Sequence, residues 1–440
     1  MIKTKNISIS TKIPAPGTRL LIKKLNKVES RSMHGQLPIA WSKAKGFNIY
    51  DLAGNKFIDF TSTIFVANTG HSNERIKKYI SKTINSNLMH SYAYLNKIRA
   101  RYLEKLIKFC GKGFEKAFLM SAGTEATEAA FKLMRMYGKK KKKRRLGIVC
   151  FEGNWHGRTL AAQMMSGNNK QKEWIGYHDK DIHHLPFPYP WLVKKGDEKK
   201  FFEKSILKLK KKINLKKDIC GVMIETFQGW GAIFYPKKYI QLFYNLCKEN
   251  DILICFDEMQ AGFSRTGKNF GFQHYKITPD LICCGKGMGG GVALSGVIGK
   301  KKIMDLPEVG NMSSTHSANP LACSAGLAVI EEIEKKRLTQ NAKKKGELLH
   351  ENLLKISRQY PGLIDINGKG LIAAMIFNKN HQNINSKLKK LVELCIKDGL
   401  LLVYTGRESV KIGPPLTITV SAINEATNII EKNINLIFKK

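Results

Sequence analysis

The sequence predicts an α/β protein: a large, mostly parallel sheet with helices on both faces, and a second, smaller α+β domain. Short, wholly apolar runs (LGIVCF, CGVMIE, ILICFD, DLICCG) recur with amphipathic stretches between them, the pattern of strands buried on both faces. At 440 residues, 43% of them hydrophobic, the chain has material for about two or three structural units with ample cores. Strands and helices after residue 320 no longer follow the parallel-sheet pattern, which sets the smaller domain apart.

Taken in order, residues 46–71 (GFNIYDLAGNKFIDFTSTIFVANTGH) alternate apolar and polar positions around Gly54-Asn55, which predicts a hairpin. A helical pattern runs from residue 73 to about Phe109. Alternation then begins: strand KAFLMS, helix TEATEAAFKLMRMYG, strand LGIVCF, then strand CGVMIE, helix YIQLFYNLCKEN and strands ILICFD and DLICCG. After Pro320 the segment ending LLHENLLKI reads as one long helix. Strands GLIAAMIF and VKIGPPLTITV and a closing helix complete the chain. No internal repeat or long low-complexity linker separates independent modules.

The 75 Lys and Arg against 35 Asp and Glu give a net charge of +40, a balance that nucleic-acid binders share. The excess is 62 Lys to 13 Arg and is spread along the whole chain. Specific readers concentrate Arg, so the composition favours a general habit of the chain over a nucleic-acid interface. The run Lys139–Arg145 (KKKKKRR) is read as a solvated loop. No stretch reaches the roughly 18–20 apolar residues of a bilayer span, and the opening residues lack the apolar core of a secretory signal. The chain is expected to be cytoplasmic and to have no membrane partner. Nine scattered cysteines without a CxxC pair read as buried, reduced thiols.

Two nucleotide motifs are set aside on local grounds. GKGMGG at 285–290 fits GxGxxG after a strand, but the β-like run GVALSGVIG follows it where a phosphate-binding helix should begin. GFSRTGKN at 262–269 resembles a P-loop, with Asn269 where a magnesium-binding hydroxyl is needed. A different constellation uses the same glycines. Asp257 closes ILICFD and Lys286 closes DLICCGK, 29 residues later. Opposite charges at the ends of two strands of one sheet lie where ligands of open α/β sheets bind. Such a lysine is a candidate Schiff-base former, and the carboxylate could hold a pyridinium nitrogen of pyridoxal phosphate protonated.

The segments SAGTEATEAAFKLMR, NWHGRT, IETFQGWG, ICFDEMQAGFSRTGKNFGFQHYKITPDLICCGKGMGGG, SSTHSANPLA and KIGPPLTI resemble, in order and spacing, the class III aminotransferases. These are the pyridoxal-phosphate enzymes acting on 4-aminobutyrate, ornithine and acetylornithine. The resemblance covers about Gly46 to Ile418. It implies fold type I with a seven-stranded large sheet, pyridoxal 5'-phosphate as cofactor, and a homodimer with active sites at the subunit boundary. It further implies that residues 1–75 contribute to the small domain, 76–320 form the large cofactor-binding domain, and 321–440 form the C-terminal small domain.

Residue by residue, Lys286 resembles the lysine that bonds the cofactor and carries the substrate proton. Asp257 resembles the partner of the pyridine nitrogen, and Gln260 the contact to the phenolic oxygen. Gly123 and Thr124 open a helix whose first amides suit a phosphate, and Thr315 resembles the hydroxyl that reaches the neighbouring subunit's phosphate. Trp155 matches the aromatic ring stacked on the cofactor. Arg158 matches a carboxylate-binding arginine, and Ile64 and Glu225 match pocket-lining positions. The pattern breaks at Trp230, where the family has a glutamate, and at Lys411, where that glutamate's arginine partner stands; Arg407 is a substitute cation. Lysine lacks the planar fork, so the expected reaction, transfer from an ω-amino acid to a keto acid by a ping-pong cycle, carries an altered acceptor site. An aminomutase, lyase or decarboxylase reaction on the same fold is the alternative reading, with a basic nucleic-acid-binding protein behind it.

Overall fold

The computed structural model describes residues 1–35 and 37–438. The chain divides into two compact units, Glu74–Thr339 and the discontinuous pair Met1–Asn73 with Gln340–Lys440.

The Glu74–Thr339 unit begins with helices α1 (Glu74–Asn85) and α2 (Lys97–Cys110). Its sheet is built from β1 (Lys116–Met120), β2 (Gly147–Phe151), β3 (Ile182–Leu185), β4 (Ile219–Glu225), β5 (Leu253–Asp257), β6 (Leu281–Cys284) and β7 (Ser295–Gly299). The seven strands lie in the order β1-β7-β6-β5-β4-β2-β3. Only β7 runs against its neighbours β6 and β1; the other pairings are parallel. The mostly parallel sheet expected from the sequence is therefore present as a mixed one. Strand β3 is new relative to the sequence reading, because the histidines of IHHL hide its apolar character.

Helix α3 (Gly123–Lys140) covers one face of the sheet. Ala126, Ala129, Ala130, Leu133, Met134 and Tyr137 are buried at helical spacing, and each fully buried Leu or Met contributes about 1.5–3 kcal/mol. The approach is close: a β-carbon on Gly221 of β4 would lie 2.3 Å from the Met134 sulfur. A Gly221 substitution would push the helix off the sheet.

The long helix expected after Pro320 is broken. Helix α4 (Pro320–Lys335) is capped by the Asn319 side chain, which accepts from the amides of Leu321 and Ala322. It ends before Arg337, whose φ of +48° stops it, and a second helix runs Leu338–Arg358. Helix α4 packs on α1, where Thr83 and Ser324 hydroxyls lie 3.0 Å apart and Arg75 Nε donates to Glu332 at 2.9 Å. That packing carries α4 into the Glu74–Thr339 unit.

In the other unit, Asn48–Asp51 and Lys56–Asp59 form the expected antiparallel hairpin, and Leu400–Leu401 joins its edge in parallel. A separate antiparallel sheet orders Ile364–Lys369, Ile372–Phe377, Ser409–Ile412 and Val403–Tyr404. All nine cysteines are unpaired and buried. No helix among the described residues is long and apolar enough to cross a membrane, and no metal-binding cluster occurs among them.

Candidate active site

The carboxyl ends of β4, β5 and β6 set the site. Asp257 is in register with Glu225 on one side and Cys283 on the other, so two carboxylates stand on adjacent strand ends. Lys286 follows two residues beyond β6. Its backbone takes φ +28°, a conformation L-residues rarely hold, in a turn closed by Met288 N–H to Gly285 O at 2.7 Å. The approach before it is close: a β-carbon on Gly285 would meet the Met259 sulfur at 2.6 Å, so a side chain there would displace the end of Met259.

These residues line a cavity of about 360 Å³ together with Gly123, Thr124, Trp155, Arg158 and Gln260. Asp257 is 5% exposed, and both its oxygens are engaged. The Met259 amide donates to Oδ1 at 3.0 Å, and His156 Nδ1 lies 2.9 Å from Oδ2. Facing a carboxylate oxygen, Nδ1 is the donor of this contact. Burial pulls the Lys286 ammonium below its ordinary value, while Asp257 and Glu225 hold it up. The amine is thus more readily neutral, and more nucleophilic, than a surface lysine.

The α3 terminus supplies a cradle. Glu125 Oε2 accepts the amides of Ser121 and Ala122, each at 2.9 Å. The next two amides, those of Gly123 and Thr124, donate to no atom among the described residues. Free first-turn amides at a helix start suit a phosphate. Crowding here admits no side chain at Gly157, where a β-carbon would lie 2.3 Å from the Thr124 hydroxyl.

Glu225 Oε2 accepts the Trp155 amide at 2.9 Å. The Arg158 guanidinium lies 4.6 Å from the Trp155 ring centroid, so one face of that ring is covered by the chain itself. Gln260 sits under Gly229, where a β-carbon would meet its Nε2 at 2.3 Å. Trp230 turns its indole N–H to Gln228 Oε1 at 2.7 Å.

Three further expected site residues are not among the lining of this cavity. Thr315 is exposed and does not line the cavity. Ile64 and Lys411 belong to the other unit, where they are near each other. Ser62, Thr63, Ile64 and Phe65 all have positive φ, from +46° to +69°, one left-handed turn. The Ser62 hydroxyl donates to Gly413 O at 2.6 Å, and Lys411 Nζ lies 4.7 Å from the Phe65 ring centroid. Arg407 is on the surface beside Glu408.

Sequence reasoning missed His156. It is 3% exposed, its amide donates to Ser166 Oγ at 2.9 Å, and its carbonyl accepts the Thr127 hydroxyl at 2.8 Å. Its position inside NWHGRT, between two residues already singled out, was the available signal.

The aminotransferase class-III family pattern matches residues 30–434. The chain belongs to the class-III aminotransferases. The acetylornithine aminotransferase of Clostridium acetobutylicum is 31% identical over 93% of this chain and 100% of that protein. The probable 4-aminobutyrate aminotransferase of Bacillus subtilis is 29% identical over 88% and 91%. The ornithine aminotransferase of Toxoplasma gondii, whose solved structure has partial occupancy of pyridoxal phosphate, superposes with a TM-score of 0.85 at 22% identity, over 96% and 94%. The class-III aminotransferase fold is thus shared, and the enzyme transfers amino groups with pyridoxal 5'-phosphate as cofactor. The residues present suit that group: a buried amine, a buried carboxylate with both oxygens held, and two unengaged amides at a helix start meet in one cavity.

Proposed function

We propose that this aminotransferase moves an amino group from an ω-amino acid or related amine to a keto acid by a two-step ping-pong cycle. The observation that carries the reading is the meeting of Lys286, Asp257 and Glu225 at adjoining strand ends in one buried cavity. Pyridoxal phosphate, when bound, supplies an electron sink for the carbanion left by proton removal. Lys286 would hold the cofactor through its Nζ, which, once displaced by the incoming amine, would take the substrate proton and return it. Asp257, held by His156 and the Met259 amide, keeps a pyridine nitrogen protonated, and Gln260 serves the phenolic oxygen. The Gly123 and Thr124 amides receive the phosphate, and Trp155 packs against the ring. Arg158 offers a planar fork to a substrate carboxylate; Ile64, Glu225 and Lys411 shape the substrate pocket.

The reading extends to a cytoplasmic homodimer in which Thr315 serves the neighbouring subunit. Support comes from the exposed Met89, Tyr92, Tyr94 and Leu95. This apolar stretch is tied to the Thr315 loop by Asn319 Nδ2–H to Met89 O at 3.1 Å and by Tyr92 with Ser313 at 3.3 Å. Unpaired buried thiols suit a reducing compartment.

Because Trp230 and Lys411 replace a carboxylate and a guanidinium, we infer either an acceptor smaller than 2-oxoglutarate, such as pyruvate, or a substrate outside the common ω-amino acids. The test is a visible spectrum of the holoenzyme during single half-reactions with a panel of ω-amino acids, then with each keto acid. Bleaching by a donor and recovery with pyruvate is expected. A band that no amine alters would overturn the donor class, and recovery faster with 2-oxoglutarate would overturn the acceptor.

A further inference from the structure

A second cavity in the same unit, of about 600 Å³, shares no lining residue with the catalytic one. One wall is the short helical segment Asn169–Ile175. Gln163 pins that segment at two points: its Nε2 donates to Gln171 O at 2.7 Å, and its Oε1 accepts the Trp174 indole N–H at 2.8 Å. The two anchors flank Lys172 and turn its side chain inward, so that this lysine is 5% exposed between neighbours that face solvent.

The Lys172 ammonium donates to Met164 O at 3.3 Å, and no carboxylate among the described residues pairs with it. Of its three donors, one is accounted for. Burial lowers its pKa, with only the Cys150 thiol opposing. The other groups around the cavity do not supply the missing charge. Asp179 is committed to Arg135 and to the Asp181 amide. Glu173 lines the cavity as an exposed side chain, and no ion pair among the described residues joins it to Lys172. His184 donates Nε2–H to the carbonyls of Met165 and Ser166, both at 3.1 Å; burial, reinforced by Lys172, pushes its pKa down to about 4, so it is neutral. His178 is exposed at the rim beside Tyr177 and Asn169.

A buried ammonium without a counter-charge is costly, and an anion entering from the cavity would relieve that cost and use the idle donors. We propose that this cavity binds a small oxyanion, a carboxylate or a phosphate, through Lys172, with Asn169, Tyr177 and His178 at its rim.

The holoenzyme is the form to test, because its own phosphate locus is then filled. Calorimetric titration with inorganic phosphate and, separately, with acetate, at ionic strength fixed by sodium chloride, should show one-site binding of at least one of them; which one names the source. Lys172→Met should weaken that binding about tenfold or more, and Lys172→Arg should keep most of it. In the wild type, acetate affinity should fall as pH rises from neutral through the ordinary lysine value of 10.5, since the lowered lysine pKa neutralises the site in that direction. Absence of binding by both anions, equal affinity in Lys172→Met, or an affinity flat with pH would each overturn the proposal. The pH series uses the unaltered chain, so it decides the matter even where Lys172→Met fails to fold.

Discussion

His156 Nδ1 lies 2.9 Å from Asp257 Oδ2, bridging residues 101 positions apart in sequence. It provides one of the two N–H donors that the buried Asp257 carboxylate accepts. Replacing it by phenylalanine removes that donor while filling the space. Leaving one carboxylate oxygen unsatisfied costs about 1–3 kcal/mol, so His156→Phe should slow the amine half-reaction roughly tenfold to a hundredfold. His156→Asn, which retains an N–H donor, should recover part of the loss; stopped-flow absorbance gives both rates. Equal rates in all three enzymes would remove His156 from the positioning of Asp257.

Borohydride reduction followed by intact mass measurement tests the lysine. Wild type should gain the mass of one reduced cofactor per chain, and Lys286→Ala should gain none. Cofactor fixed to the variant at wild-type yield would move the attachment to another residue.

Cofactor loading should depend on pH with a definite sign. The neutral amine is the attacking species, so the loading rate of stripped enzyme should rise with pH. Its plateau should come below the ordinary lysine value of 10.5, because burial lowers the Lys286 pKa. Glu225 acts against that lowering; Glu225→Gln should therefore shift the midpoint to lower pH. A shift upward contradicts the electrostatic account.

The left-handed turn at Ser62–Phe65 is a reservoir of strain. Thr63, a β-branched residue at φ +52°, pays roughly 1–2 kcal/mol for that conformation, partly offset in a glycine by lost chain entropy of about 0.5–1 kcal/mol. Thr63→Gly should raise stability by about 1 kcal/mol, read from chemical denaturation. A loss of similar size would show that the hydroxyl, which donates to Ser62 O at 2.6 Å, matters more than the backbone.

Gly167→Ala should do the reverse. Its added β-carbon would lie 2.1 Å from Gly153 N and 2.4 Å from Phe151 O, backbone atoms that cannot swing aside. Destabilisation at or above the top of the roughly 1–3 kcal/mol range for overpacking is expected, together with weaker cofactor retention, because Gly153 and His156 share this loop. Melting curves with and without added cofactor check both.

The apolar runs that became β2, β4, β5 and β6 are legible in the sequence because strands buried on both faces leave no polar alternation to confuse them. Asp257, Glu225 and Lys286 are legible for a related reason: they are the first charges met where those runs stop. Strand β3 is not, since His183 and His184 break its apolar pattern. The stop before Arg337 carries neither glycine nor proline, so two helices read as one. The His156–Asp257 contact joins distant residues, and nothing in local spacing reports it. Strand β7 lies antiparallel between β1 and β6, a reversal that depends on the path of the chain after Gly291 and leaves no mark in composition.

The nine buried thiols have a practical consequence. Cys255 and Cys283 lie side by side, 3.5 Å apart, on the two strands that lead to Asp257 and Lys286. Burial also pushes the Cys220 and Cys323 thiols up to about 12, so the intact fold offers a maleimide almost no thiolate to attack. The rate at which each cysteine is alkylated under native conditions would then clock how often its own part of the chain opens. Eight native reporters in the Glu74–Thr339 unit, with Cys395 alone in the other, could map the order of opening without adding a single label.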